Sequence, residues 1–166
     1  CGDLRGQKAD IWDGGHREPF IVRWPGMVQP GTFNSDLVCL GDLFATCAEI
    51  ASEDIGIDVA EDSYSLLSAL TGKQSDLPQR SMLVHHSGDG MFSIREGRWK
   101  LILGLGSGGF SKPQRIDPGP MDPIGQLYDM EKDYQERFNL WLEKPDVVQK
   151  LQLKLNKIIN EDRSRI

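Results

Sequence analysis

The segment Gly6-Gln7-Lys8-Ala9-Asp10-Ile11-Trp12-Asp13-Gly14-Gly15-His16-Arg17-Glu18-Pro19 carries the densest set of residues able to do chemistry. A Lys ammonium is a compact point charge suited to a tetrahedral oxyanion, so Lys8 is a candidate anion contact. The adjacent Gly14 and Gly15 let backbone approach a ligand or another chain segment closely. Arg17 can hold an anion or pair with Asp13 or Glu18 as a structural clamp. The clamp is the expected role, because loop arginines beside acids usually pair locally.

His85-His86 is the one histidine pair. Neighbours on a strand point to opposite faces, so the two do not readily share a metal. One is expected in the core or a satisfied polar pocket. The other is a candidate cleft residue that contacts an anionic substrate. With His16 as the only further histidine and no clustered thiols, no zinc site is expected. Gly104-Leu105-Gly106-Ser107-Gly108-Gly109 satisfies G-x-G-x-x-G after an expected strand, but Phe110-Ser111-Lys112-Pro113 follows where a dinucleotide site needs a helix. A flexible loop is the expected reading. Cys1-Gly2-Asp3-Leu4-Arg5 is a weak nucleophile motif at a terminus, and there is no G-x-S-x-G elbow.

These residues need elements to position them. Phe20–Trp24 reads as a short strand ended by Pro25-Gly26, and Asp36–Ile50 as a helix. Ser63 is placed to cap a short helix over Tyr64–Leu70 that stops at Gly72, and Gln74–Gln79 reads as a linker. Arg80–His86, Met91–Arg95 and Arg98–Leu103 read as an antiparallel meander with turns at 87–90 and 96–97. Residues 104–123 hold five Gly and four Pro, the composition of a long irregular loop. Gln126–Asp129 reads as one more strand. A helix from Pro145 to about Asp162 carries Val147, Val148, Leu151, Leu155, Ile158 and Ile159 on one stripe, which should pack on the meander.

The 166 residues suffice for a sizeable core, and 39% hydrophobic with 27% charged residues argues against wholesale disorder. No apolar run approaches a membrane span. Cys1, Cys39 and Cys47 are too few for a disulfide framework, and Cys39 and Cys47 are expected as small buried hydrophobes. The net charge of −6 is uneven: residues 1–79 carry 5 Lys+Arg against 13 Asp+Glu, and residues 80–166 carry 14 against 12. That contrast suggests two structural units and offers no basic footprint for nucleic acid. The start lacks an initiator Met and reads as a piece of something longer or a processed chain.

Ordered blocks across nearly the whole chain resemble the sulfatase family, within the alkaline-phosphatase-like superfamily. Leu4-Arg5-Gly6-Gln7-Lys8, Asp13-Gly14-Gly15-His16-Arg17-Glu18-Pro19 and Arg23-Trp24-Pro25-Gly26 resemble L-R-G-x-K … E-G-G-x-R-x-P … W-P-G, with Asp13 in place of the usual Glu. Asp42-Leu43-Phe44-Ala45-Thr46, Ser65-Leu66-Leu67 with Leu70-Thr71-Gly72, and Ile94-Arg95-Glu96-Gly97-Arg98-Trp99-Lys100-Leu101-Ile102 are similar to further family blocks. So is Gln126-Leu127-Tyr128-Asp129-Met130-Glu131-Lys132-Asp133, followed by Glu136 and Asn139-Leu140, with Tyr134 replacing a Pro.

The resemblance covers the family's C-terminal third. It implies an α/β fragment, with residues 1–77 as the tail of the catalytic α/β domain and 80–166 as a small antiparallel sheet packed by the C-terminal helix. The implied parent hydrolyses sulfate esters with a formylglycine nucleophile beside calcium. The nucleophile motif C/S-x-P-x-R is absent here, and the metal ligands would fall before Lys8. No cofactor or metal is therefore expected in this chain, and the chain alone is expected to be inactive. Lys8 matches the family lysine that contacts a sulfate oxygen. Gly14, Gly15, His85, His86 and the 104–123 loop are the candidates for lining the substrate, with specificity expected in that loop, and Asp13 and Arg17 are structural. The implied partner is a sulfated small molecule or carbohydrate; surface left by a missing domain is open to self-association. A periplasmic, secreted or lysosomal setting accords with the family. Two other readings stay open: a related phosphatase or phosphonate hydrolase, and a non-catalytic binding module.

Overall fold

The computed structural model describes residues 2–73 and 76–165. Cys1 and the Gln74-Ser75 part of the expected linker lie outside the described residues. The chain divides into two packed units. One runs from the N-terminus to Pro19 and over Val84–Lys157; the other is Phe20–Leu83 with the residues from Ile158 onward.

The first unit is built on an antiparallel sheet in the order β1 (Met82–His86), β2 (Phe92–Glu96), β3 (Trp99–Ile102), β4 (Gln126–Asp129). A tight turn at Gly97, whose φ is +54°, joins β2 to β3 and sets the register Ile94 opposite Leu101 and Glu96 opposite Trp99. Leu101 faces Leu127 across the next ladder. Lys100, Leu101 and Ile102 of β3 and all four residues of β4 are buried, so both faces of these strands are covered. The long helix α3 (Pro145–Glu161) buries Val148, Leu151 and Leu155, and its Lys150 and Lys154 pair with Glu96 at the end of β2. Heptad-like spacing of the three buried residues leaves Lys150 and Lys154 beside the stripe, where both reach Glu96.

Ile11 and Trp12 enter the same core as Met91, Ile102, Tyr128 and Met130. Because those two large side chains are buried there, residues 2–19 pack with the sheet.

The second unit holds α1 (Asp42–Ile50) and α2 (Leu67–Thr71). Asp42, fully buried, accepts from the Cys39 and Tyr64 backbone amides and pairs with Arg80. The Arg80 guanidinium also lies 4.6 Å from the Tyr64 ring centroid. Gly72 ends α2 in the left-handed region at φ +70°, as its position after Thr71 predicts.

Four local expectations change. Phe20–Trp24 forms no strand; Ile21 is 89% exposed, and β-branched and aromatic residues favour a strand only where a pleated, half-buried surface receives them. Helix α1 starts at Asp42 rather than Asp36, because the Asp42 carboxylate is committed to the turn before it. Ser63 does not cap α2. Its hydroxyl accepts the Ala45 N–H at 3.0 Å and donates to Gly41 O at 2.7 Å, so it serves the first turn of α1. Cys39 is half-buried, as a small hydrophobe would be, but Cys47 is exposed on α1.

Candidate functional site

The Lys8 loop is shaped first by its own backbone. Gln7 N–H donates to the Asp10 carboxylate at 2.9 Å, and Asp10 N–H returns to Gln7 O at 2.9 Å, so Lys8-Ala9 forms the tip of a tight turn. Ala9 sits at φ +76°, a conformation costing about 1 kcal/mol for a residue with a Cβ. Lys8 is exposed at that tip.

Asp13–Gly15 then make one 3-10 turn. A Cβ on Gly15 would lie 2.2 Å from Asp10 O, and one on Gly14 would lie 2.5 Å from both Arg5 O and Gly6 O. The missing side chains of Gly14 and Gly15 thus accommodate the chain's own carbonyls, and the close approach they allow is of backbone to backbone.

Residues far downstream in the chain, between Gly88 and Ser111, hold this loop. Ser111 N–H donates to Asp10 at 3.0 Å, and Ser107 O accepts Ile11 N–H at 2.8 Å. Gly88 N–H donates to Ala9 O at 2.7 Å. Gly109 leaves no room for a Cβ, which would meet Ala9 O at 2.3 Å. The G-x-G-x-x-G stretch therefore cradles protein backbone, with no helix after it. Nor is it loose. Ser107 N–H donates to Pro113 O at 3.0 Å and Gly108 N–H to Gln114 O at 2.8 Å, folding residues 105–116 back on themselves.

Beneath the loop lies a buried charge cluster. Lys100 Nζ, fully buried on β3, stands 2.7 Å from Asp13 and 2.7 Å from Glu136. Glu136 also accepts the Asp13 N–H at 2.6 Å, and its carbonyl accepts from Arg5 at 2.5 Å. Arg5 stacks 3.7 Å from the Trp12 ring centroid and donates to the Tyr128 hydroxyl at 3.0 Å. Tyr128 and Trp12 both donate to Gln126 Oε1. Arg17 and Arg95 each reach Asp13 at 3.5 Å, but Arg17 is largely exposed, so Lys100 is the dominant partner. Burial opposes the charge on Asp13, yet Lys100 and then the two arginines hold its carboxyl below the usual range. For Glu136, burial pushes up, Lys100 pulls down, Asp13 pushes up, and the balance is upward.

His85 and His86 do face different surroundings. His85 Nε2 is 2.8 Å from the Ser93 hydroxyl, and its ring lies 4.1 Å from that of His16. His86 is exposed, 5.9 Å from the Phe92 ring. Burial, reinforced by the Lys100 charge, pushes the His16 imidazole down to about 4 and the His85 imidazole down to about 3. Both are neutral near pH 7 and act there through hydrogen bonds.

Among the described residues no group of three or more His, Cys, Asp or Glu is arranged to hold a metal ion. Calcium takes six to eight oxygen ligands, and the acids nearest Lys8 are committed: Asp10 to amides, Asp13 to Lys100. These residues do not fit the calcium that the family resemblance implies.

Sequence reasoning singled out Lys8, Asp13, Gly14, Gly15, Arg17, His85 and His86 but missed the supports: Arg5, Asp10, Lys100, Gln126 and Glu136. One signal was available. In Trp99-Lys100-Leu101-Ile102 a lysine interrupts an apolar run where β3 must be covered on both faces.

The first unit is thus an antiparallel sheet packed by a C-terminal helix, with the lysine loop clamped over a buried Asp13–Lys100–Glu136 cluster. No family model matches the chain. It is 33% identical over 150 residues, 90% of its length, to an N-acetylgalactosamine-6-O-sulfatase of Bacteroides thetaiotaomicron. It is 30% identical over 152 residues to human arylsulfatase A. The chain spans 29% of the length of each. A solved structure from work on the metabolism of multiple glycosaminoglycans by Bacteroides thetaiotaomicron superposes with TM-score 0.78 at 32% identity, over 95% of this chain and 32% of that one. The PsFucS1 sulfatase of Pseudoalteromonas sp. shares the fold, with TM-score 0.74 at 19% identity. The chain is homologous to sulfatases, and its sequence and fold are consistent with a C-terminal sulfatase portion.

Proposed function

We propose that this chain is the C-terminal part of an enzyme that hydrolyses sulfate esters of a sulfated carbohydrate or small molecule. The observation supporting this most is the 33% identity to a sulfatase over 90% of the chain. In this reading residues 1–77 end the catalytic α/β domain and residues 80–166 form the C-terminal subdomain. The calcium and formylglycine of the parent enzyme lie outside these residues, and the chain by itself is inactive.

Lys8 places its ammonium against a sulfate oxygen and stabilises the negative charge that grows there as the ester bond breaks. Asp10 and the Gly14-Gly15 turn fix the loop that presents it. Gly14 and Gly15 contribute to substrate binding through the loop they close. His86 lines the substrate side, and His85, neutral and bonded to Ser93, backs it. Asp13 and Arg17 act structurally through the Lys100 cluster.

The test is turnover of 4-methylumbelliferyl sulfate and of sulfated disaccharides by the full encoded protein. Lys8→Ala should lower kcat roughly 100- to 1,000-fold without changing the melting temperature. Hydrolysis of phosphate esters in preference to sulfate esters would overturn the reading. Turnover by the purified 166-residue chain alone would overturn the assignment of inactivity.

A further inference from the structure

The tip of the 104–116 loop joins the Lys8 loop through specific bonds. Gln7 Nε2 donates to the Ser111 hydroxyl at 3.3 Å, and Ser111 N–H donates to Asp10 at 3.0 Å. Ser111 O in turn accepts the Ser107 hydroxyl at 2.6 Å, and Gly109 N–H donates to Ser107 Oγ at 3.1 Å. Residue 7 therefore touches residue 111, and the next residue on each loop is an exposed lysine: Lys8 on one side, Lys112 on the other. Phe110, on the other side of Ser111, is 67% exposed. The far end of the loop is anchored by the Arg115–Asp89 ion pair and by Arg115 donating to Asp89 O at 2.9 Å. An exposed aromatic ring is ordinarily a cost. Here it stands on backbone locked at both sides, beside a second positive charge, one bonded contact away from Lys8.

We infer that Phe110 and Lys112 determine substrate specificity, selecting a sulfated saccharide that carries a second anionic group beyond the ester Lys8 engages. Phe110 presents an apolar face to the C–H face of the sugar ring, and Lys112 pairs with the additional carboxylate or sulfate. The inference rests on the sulfatase reading for the role of Lys8. Loss of Lys112 should cost affinity for the second anion and leave the bond-breaking step alone.

The test uses the full encoded protein with three probes: a sulfated disaccharide bearing a uronate carboxylate, its carboxyl methyl ester, and 4-methylumbelliferyl sulfate. Lys112→Met should raise KM for the carboxylate-bearing disaccharide roughly threefold to fivefold with kcat unchanged. KM for the other two probes should not move, Lys112→Arg should retain wild-type KM, and the wild-type advantage should shrink as salt rises. Phe110→Ala should weaken both disaccharides roughly threefold to tenfold relative to the aryl sulfate, with Phe110→Trp tolerated. Equal loss on all three probes, or none on any, overturns the inference. Calorimetric binding of the same disaccharides separates it from the hydrolase reading. Binding that depends on Lys112 without turnover sinks the hydrolase reading and upholds the specificity assignment, whereas binding indifferent to Lys112 and Phe110 sinks the assignment.

Discussion

Replacing Lys100 with Met is the sharpest test of how the lysine loop is held. The ammonium is fully buried, 2.7 Å from each of two carboxylates, and Glu136 is itself fully buried. Met keeps the volume and removes the charge, so Asp13 and Glu136 face each other with no cation between them. Breaking a buried ion pair from one side costs about 3–5 kcal/mol. For a chain of this size that corresponds to a fall in Tm of roughly 6–20 °C. The sign of the pH dependence follows. Without Lys100 the folded state raises the affinity of this acid pair for a proton above its unfolded value, so the folded variant gains protons, and stability, as pH falls. The gap between wild type and variant should therefore narrow from pH 8 to pH 5. Adding Glu136→Gln to Lys100→Met removes one of the facing charges and should recover part of the loss at pH 8. Thermal melts by near-ultraviolet circular dichroism at both pH values measure all three proteins. A loss under about 1 kcal/mol, or a gap independent of pH, would refute the claim that Lys100 neutralises a buried acid pair.

Four further outcomes are expected. Gly15→Ala, which sets a Cβ 2.2 Å from Asp10 O, should cost about 3 kcal/mol or more in urea unfolding, whereas Gly72→Ala, at φ +70° with open space around it, should cost only about 1 kcal/mol. His16 and His85 are held neutral, so their contribution is complete above the unfolded histidine pKa and is lost as pH falls from about 6.5 toward 4 and 3. Urea midpoints should show a loss of about 2–3 kcal/mol by pH 5, and His16→Gln with His85→Gln should flatten that slope. Ser63→Ala should destabilise by about 1 kcal/mol, through loss of the acceptor for Ala45 N–H, in the same unfolding assay. The purified chain should self-associate with rising concentration in light scattering, because Phe33 is fully exposed and Leu40 and Phe44 are more than half exposed.

Local pattern carried much of the fold. β4 and α3 fall within a residue of the ranges their periodicity predicts, and β2, β3 and the Gly97 turn follow from a short polar break between apolar runs. These signals are legible because each is complete within a few residues. Phe20–Trp24 forms no strand for the converse reason: its strand propensity is local, but a strand also needs a neighbour. The Lys8 loop and its glycines stand out in the sequence as one segment, whereas the residues that hold that segment do not. Lys100 is 87 residues from Asp13, and Glu136 is 123 away. No window of sequence contains both, and alternation alone places a strand lysine in water. The glycine-rich run was ambiguous because close approach to a nucleotide and close approach to another stretch of backbone demand the same residue.

The bond from Arg5 to the Glu136 carbonyl closes a span of 131 residues. Ribosomes add about 5–20 residues per second, so roughly 7–26 s separate the synthesis of its two ends. Gly88, Ser107 and Ser111 become available to the loop bearing Lys8 within that interval, and Glu136 is the last of its anchors to be made. The order of events during translation is thus set by the sheet: Lys8 is made before the residues that anchor its loop. A ribosome stalled before Gly88 should carry a nascent chain whose Lys8 loop is open to proteases, and one stalled well beyond Glu136 should not.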